Sequence, residues 1–140
     1  MLSGFFKNLV FQSRKNPVVY AADAQLLLVI NKLREELGDG LISCCISKKN
    51  SKTILASFNF QESMLPLFQN ISQFIEHALI AARFPKLKES FKIKLSHHSL
   101  LIGWLPAPYQ IFILLDESIA NIGILEGIIF PEIKEIFGKS

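Results

Sequence analysis

The chain has 140 residues, half of them hydrophobic, and a formal charge of +3. That is the length of one domain, with apolar residues spread along it in sufficient number to bury a core without disulfide or metal staples. This composition excludes a disordered polymer and, since no apolar run reaches about 18 residues, a bilayer-spanning segment. Short basic clusters, with aromatic residues on periodic core positions, argue against a nucleic-acid-binding surface.

Charge is graded along the chain. Residues 1–60 hold eight Lys or Arg against four acids, and residues 116–140 hold two against five. Cys44 and Cys45 are adjacent, so in a strand they point to opposite faces and suit neither a shared metal nor a mutual disulfide. They read as small strand residues of a reducing compartment, and the expected location is the cytoplasm.

Residues 1–20 read as an appendage. Phe5, Phe6, Leu9 and Val10 recur at helical spacing with Lys7 among them, an amphipathic pattern suited to a membrane surface or a partner. Residues 13–17 form a linker closed by Pro17. A helix is predicted over 22–37 on the stripe Leu26, Ile30, Leu33 and Leu37, ended by a left-handed Gly38. Strands follow over 41–47 and 53–60, joined by the polar turn 48–52.

A second helix is predicted over 62–83, with Ser63 as cap, Pro66 in its first turn and Pro85 beyond its end. Its apolar stripe, Met64, Leu67, Phe68, Ile71, Phe74, Ile75, Ala78, Leu79 and Ala82, is wider than one sheet contact needs. Residues 91–96 alternate, with Phe91, Ile93 and Leu95 on one face and Lys92, Lys94 and Ser96 on the other, as a half-exposed edge strand would. Strands over 100–105 and 110–115 are apolar throughout and therefore central. A last helix over 119–137, capped by Ser118, contains Pro131 and should kink or break near Phe130. This order predicts an α/β (α+β) fold, αββαβββα. Its sheet would be antiparallel and five-stranded with helices on both faces, and residues 21–140 would form the domain.

No constellation supports catalysis, a metal or a cofactor. His97-His98 lies in a strand turn with no nearby carboxylate partner, and a solvated hairpin explains it better than a metal site. There is no serine elbow and no phosphate loop. Asp116-Glu117 sits between strand and helix, where helix N-terminus electrostatics account for it. Trp104 and Tyr109 flank the 106–108 turn and read as covers for the end of a core.

Two segments carry a resemblance. Gly38-Asp39-Gly40-Leu41-Ile42 resembles the turn from first helix to first strand of the roadblock / dynein light chain family. The stretch from Ile113 through Asp116, Asn121 and Gly123 to Leu125 resembles that family's last strand and the entry into its final helix. The resemblance covers residues 22–137; the first 20 residues and the interruptions at Gly127 and Pro131 depart from it. It implies a roadblock/profilin-like fold and a non-catalytic module, dimeric with itself or with a paralogous roadblock protein. In such dimers the second helices pack together and the third strands pair across the two-fold axis. It further implies that the chain binds or regulates a Ras-like small GTPase, without supplying an arginine finger, or scaffolds a signalling or motor complex.

The dimer interface expected from these residues is Phe68, Ile71, Phe74, Ile75, Phe91, Ile93 and Leu95, with Phe5, Phe6, Lys7 and Leu9 as a membrane or partner contact. Two alternatives compete. One is a small-molecule sensor of GAF or PAS type, which needs an enclosed, partly polar pocket between sheet and helix. The other is a membrane-peripheral adaptor anchored by the N-terminal segment.

Overall fold

A computed structural model describes residues 18–138. The elements follow as β1 (Val19–Ala21), α1 (Ala24–Leu37), β2 (Leu41–Lys48), β3 (Ile54–Phe58), α2 (Leu65–Ala81), β4 (Ser90–Lys94), β5 (Ser99–Trp104) and β6 (Tyr109–Asp116). The final helix, α3, runs in three pieces: an opening turn Ile122–Ile124, a π turn Leu125–Ile129, and Phe130–Gly138. Among the described residues the sheet has six strands in the order β1-β3-β2-β6-β5-β4, every neighbouring pair antiparallel.

The sequence reading expected five strands, and β1 is the addition. It is only three residues long and lies just past Pro17. Its extended state comes from pairing with β3, Val19 opposite Phe58 and Ala21 opposite Ala56, rather than from any local alternation. The chain then turns, with the Ala22 amide donating to the Leu55 carbonyl at 2.7 Å. Asp23 takes the N-cap, its carboxylate accepting from the Leu26 amide at 2.8 Å, so α1 begins two residues later than periodicity alone suggests. Gly38 ends α1 at φ +54° and ψ −132°, a conformation glycine adopts without steric cost, and its amide returns to the Arg34 carbonyl.

Strand pairing sorts side chains to two faces. Cys44, Ile46, Phe58, Leu100, Ile102, Trp104, Ile111, Ile113 and Leu115 face α1 and α3 and form the larger core, with Leu26, Val29, Ile30 and Leu33 from α1 and Leu125, Ile129, Phe130 and Ile133 from α3. The opposite face carries Ile42, Cys45, Leu101, Phe112 and Leu114, covered by Met64, Leu65 and the half-buried Phe68. Burying two adjacent cysteines in two cores keeps both protonated: burial pushes the Cys44 thiol up to about 12 and the Cys45 thiol upward as well.

Two helix starts differ from the expected caps. Ser63 lies in a short 3-10 turn, Glu62–Met64, and contributes no cap; Pro66 does occupy the first turn of α2. Ser118 donates its amide and its hydroxyl to the Asp116 carboxylate, while Asn121 caps α3 by accepting from the Ile124 amide at 3.2 Å. The break expected near Phe130 is the π turn just before it. Proline at 131 has no amide to offer the Gly127 carbonyl, and its ring would crowd that carbonyl in a regular helix. The Phe130 amide instead reaches back five residues to the Leu125 carbonyl. The extra residue in that turn lets both Ile129 and Phe130 face the core.

Candidate protein-docking face

Helix α2 is amphipathic in an inverted sense. Its buried positions are Leu65, Gln69 and Ser72, two of them polar. Gln69 is drawn inward because its amide donates to the Ser51 carbonyl in the β2–β3 turn, and Glu76 pairs with Lys49 of the same turn at 3.3 Å. Tying this side of the helix to the hairpin leaves part of the apolar stripe outward, while Leu65 is buried and Phe68 and Ile71 pack against the sheet. Leu67 is 63% exposed and Phe74 is 74% exposed, with the half-buried Ile71 between them on the same helical line.

Strand β4 borders this face. It is an edge of the sheet, paired only with β5 through Ser90–Trp104 to Lys94–Leu100. Phe91 and Ile93 are half-buried on the α2 side, while Lys92 and Lys94 turn to the other side and meet Glu126 at 3.0 Å and Glu117 at 4.0 Å. The Phe91 ring lies over Gly103: a Cβ built there would stand 2.2 Å from it, so the glycine is what allows the ring to lie flat on β5. Leu95, just past the strand, is 48% exposed.

The residues expected at an interface thus divide by environment. Phe74 and Leu95 are open to solvent, and Ile71, Ile75, Phe91 and Ile93 are half-buried. Phe68 contributes mainly to the protein's own core, its ring 5.6 Å from Phe60 and 5.7 Å from Phe112. Phe5, Phe6, Lys7 and Leu9 lie outside the described residues. Leu67, which the sequence puts on the α2 stripe but not at the interface, and Ile80 and Phe84, which it does not single out, are all exposed along or just beyond α2. For Leu67 the stripe at spacings of four and three was a sufficient signal; for Phe84, beyond the helix end, there was none.

Chemistry-bearing groups are not assembled. Among the described residues no three His, Cys, Asp or Glu stand where they could hold a metal ion. His97 and His98 both take positive φ, 61° and 59°, in the exposed β4–β5 turn. Trp104 and Tyr109 do cover the end of the core: Trp104 is buried against Phe130, and Tyr109 stacks on Phe137 at 4.5 Å. The space under α2, lined by Ser43, Phe60, Met64, Phe68, Leu101, Phe112 and Leu114, amounts to about 10 Å³, too little for more than one water molecule. A wider groove of about 380 Å³ lies at the α1 C-terminus between Asn31, Arg34, Glu35, Gly38, Asp39 and Phe58, where the Arg34 guanidinium rests 4.9 Å above the Phe58 ring. It is open and carries charges of both signs. No described helix is long and apolar enough to cross a membrane.

No family model and no curated protein matches the sequence. Solved structures do match the fold. MglB of Myxococcus xanthus superposes with a TM-score of 0.67 at 10% identity, over 82% of this chain and 86% of that one. The Streptomyces avermitilis roadblock/LC7 domain gives 0.65 at 11% identity, over 80% and 94%. This chain has the roadblock/LC7 fold. The gliding protein MglB of Thermus thermophilus agrees as well, with a TM-score of 0.62 at 10% identity over 89% and 96%.

Proposed function

We propose that this chain is a non-catalytic, dimeric protein-interaction module that binds or regulates a Ras-like small GTPase, or scaffolds a complex that contains one. The observation that carries the reading is the pair of exposed apolar side chains Leu67 and Phe74 on α2, with the half-buried Ile71 between them, in a sheet whose edge strand β4 is unpaired on one side. An exposed apolar stripe next to an open strand edge is what a second protein chain satisfies, with side chains on one element and backbone hydrogen bonds on the other. One of the similar solved structures is described as MglB with a tetrameric arrangement, which supports assembly as a use of this fold.

Exposed charge is divided between the two ends of the strands. Glu35, Glu36, Asp39 and Glu62 gather where β2 begins and β3 ends, while Lys48, Lys52, Lys86 and Lys88 gather at the opposite end of the strands. Of the expected contact residues, Phe74 and Leu95 are exposed and Ile71, Ile75, Phe91 and Ile93 are half-buried, which supports a contact with the partner through them. Residues 1–20 are proposed as an accessory contact, to a partner or to a membrane, on a domain formed by residues 21–140 working in the cytoplasm. Against the sensor alternative, the space between the sheet and α2 among the described residues is only about 10 Å³.

Sedimentation of the full chain at micromolar concentration tests the dimer. Wild type should sediment as a dimer and Phe74→Glu as a folded monomer; a monomeric wild type would count decisively against the reading. Single-turnover hydrolysis by a small GTPase encoded nearby, measured with and without the protein, tests the regulatory role.

A further inference from the structure

Among the described residues the cations fall into two groups. Lys32, Lys92, Lys94 and Lys134 each meet a carboxylate, on Glu132, Glu126, Glu117 and Glu89 respectively, and Arg34 rests on Phe58. Lys49 meets Glu76. The five that enter neither an ion pair nor a ring contact, Lys48, Lys52, Arg83, Lys86 and Lys88, all belong to one end of the sheet.

Strand register and loop contacts place them there together. Lys48 pairs with Tyr109, and the Lys49 amide donates to the Pro108 carbonyl at 3.1 Å, which sets the 48–53 hairpin beside the 105–108 turn. The Leu105 amide donates to the Glu89 carbonyl at 2.8 Å, which sets that turn beside the 82–89 loop. The three connections therefore form one continuous rim. Apolar side chains emerge within it. Arg83 closes α2 at φ +59°, with the Phe84 amide returning to the Leu79 carbonyl at 2.9 Å, and this turn leaves Phe84 63% exposed and Ile80 58% exposed between the cations.

We infer that this rim is a docking surface for an anionic lipid bilayer. Unpaired, flexible lysine ammonium groups on exposed loops fit a diffuse field of lipid phosphate and carboxylate charge, which demands no fixed geometry. Phe84 and Ile80 supply the side chains that enter the interfacial region, as amphipathic surface segments do. Single-stranded nucleic acid is the weaker fit, because it calls for a row of aromatic platforms and the rim offers one. The inference stands on the monomer fold and does not rest on the dimer or GTPase reading. It is also separate from any contact made by residues 1–20.

Co-sedimentation of the full chain with neutral phosphatidylcholine vesicles, and with vesicles containing about 30% phosphatidylserine, tests it. Wild type should bind the anionic vesicles at least about tenfold better than the neutral ones, with the advantage shrinking as salt is raised. The charge reversal K48E/K52E/K86E/K88E should remove that advantage, F84S should weaken binding while leaving its salt dependence, and F5S/F6S/L9S should keep the anionic preference. All four lysines and Phe84 are exposed. Circular dichroism checks that each variant is folded, and K86Q/K88Q, expected to lose part of the advantage, replaces the fourfold reversal if that one unfolds. Equal binding to neutral and anionic vesicles overturns the inference. So does wild-type binding by a folded rim variant, loss of all preference in F5S/F6S/L9S, or displacement from vesicles by an equal charge concentration of single-stranded RNA.

Discussion

The rings of Trp104 and Phe130 are stacked, with centroids 3.9 Å apart and planes 5° from parallel. This contact fastens the residue that follows the π turn to the last residue of β5, and both side chains are buried. It fixes the phase of α3 where the helix has just taken in an extra residue. Phe130→Ala should cost about 3–5 kcal/mol, the range for removing a buried aromatic ring. Trp104 is the only tryptophan, so its emission in a urea titration reports the transition directly, and the folded baseline should shift red as the ring loses its cover.

Gly103 and Phe91 make a second coupled pair. A methyl group on residue 103 would stand within 2.3 Å of two Phe91 ring atoms, so Gly103→Ala must push the ring off β5. Crowding of this kind costs about 1–3 kcal/mol. The double variant with Phe91→Ala should recover part of that loss, because the clash has gone. A double-mutant cycle by thermal or chemical denaturation measures the coupling, and strictly additive costs would show that the ring had another place to go.

Phe74 tests the division between core and docking face. It is 74% exposed, so Phe74→Glu should change monomer stability by no more than about 0.5 kcal/mol. The wild-type melting temperature should rise with protein concentration, while that of Phe74→Glu should not, because only association links stability to concentration. Differential scanning fluorimetry over a hundredfold concentration series separates the two.

Cys44 and Cys45 set an alkaline limit. Burial raises both thiol pKa values above the ordinary value of 9.0, Cys44 to about 12. A folded pKa above the unfolded one means that the stabilising contribution is complete below pH 9. It falls between 9 and about 12, where the unfolded chain ionises first. The slope is about 1.4 kcal/mol per pH unit for each thiol. Urea midpoints at pH 8 and pH 10 should therefore differ more for wild type than for a Cys44→Ala/Cys45→Ala variant, and neither thiol should react with an alkylating reagent at pH 8 without unfolding.

Much of the fold was legible because periodicity and burial agree for most elements. Leu26, Ile30, Leu33 and Leu37 do face the core, and the continuously apolar β5 and β6 do lie inside the sheet. β1 was illegible because three residues carry no period; only their partner, Phe58 back to Ala56, makes them a strand. The stripe on α2 was readable as apolar, but not which part of it would be covered. That depends on Gln69 finding the Ser51 carbonyl, a contact across 18 residues that draws a polar side inward. The basic rim was hidden for a related reason. Lys48 and Lys88 are far apart in sequence, and their common position exists only after β2, β6, β5 and β4 are laid side by side.

That gathering of charge gives each copy a direction. Its basic connections sit at one end of the strands and its uncompensated carboxylates at the other, so a single copy has an electrical long axis and would turn in a field. Antiparallel joining of two β4 edges sets two such axes side by side in opposite directions, and their dipole components along the strands cancel. The joined pair would carry one basic rim at each extremity, pointing in opposite directions. A membrane on one side would then meet only half of the available cations, and two membranes, one at each extremity, would be needed to engage them all.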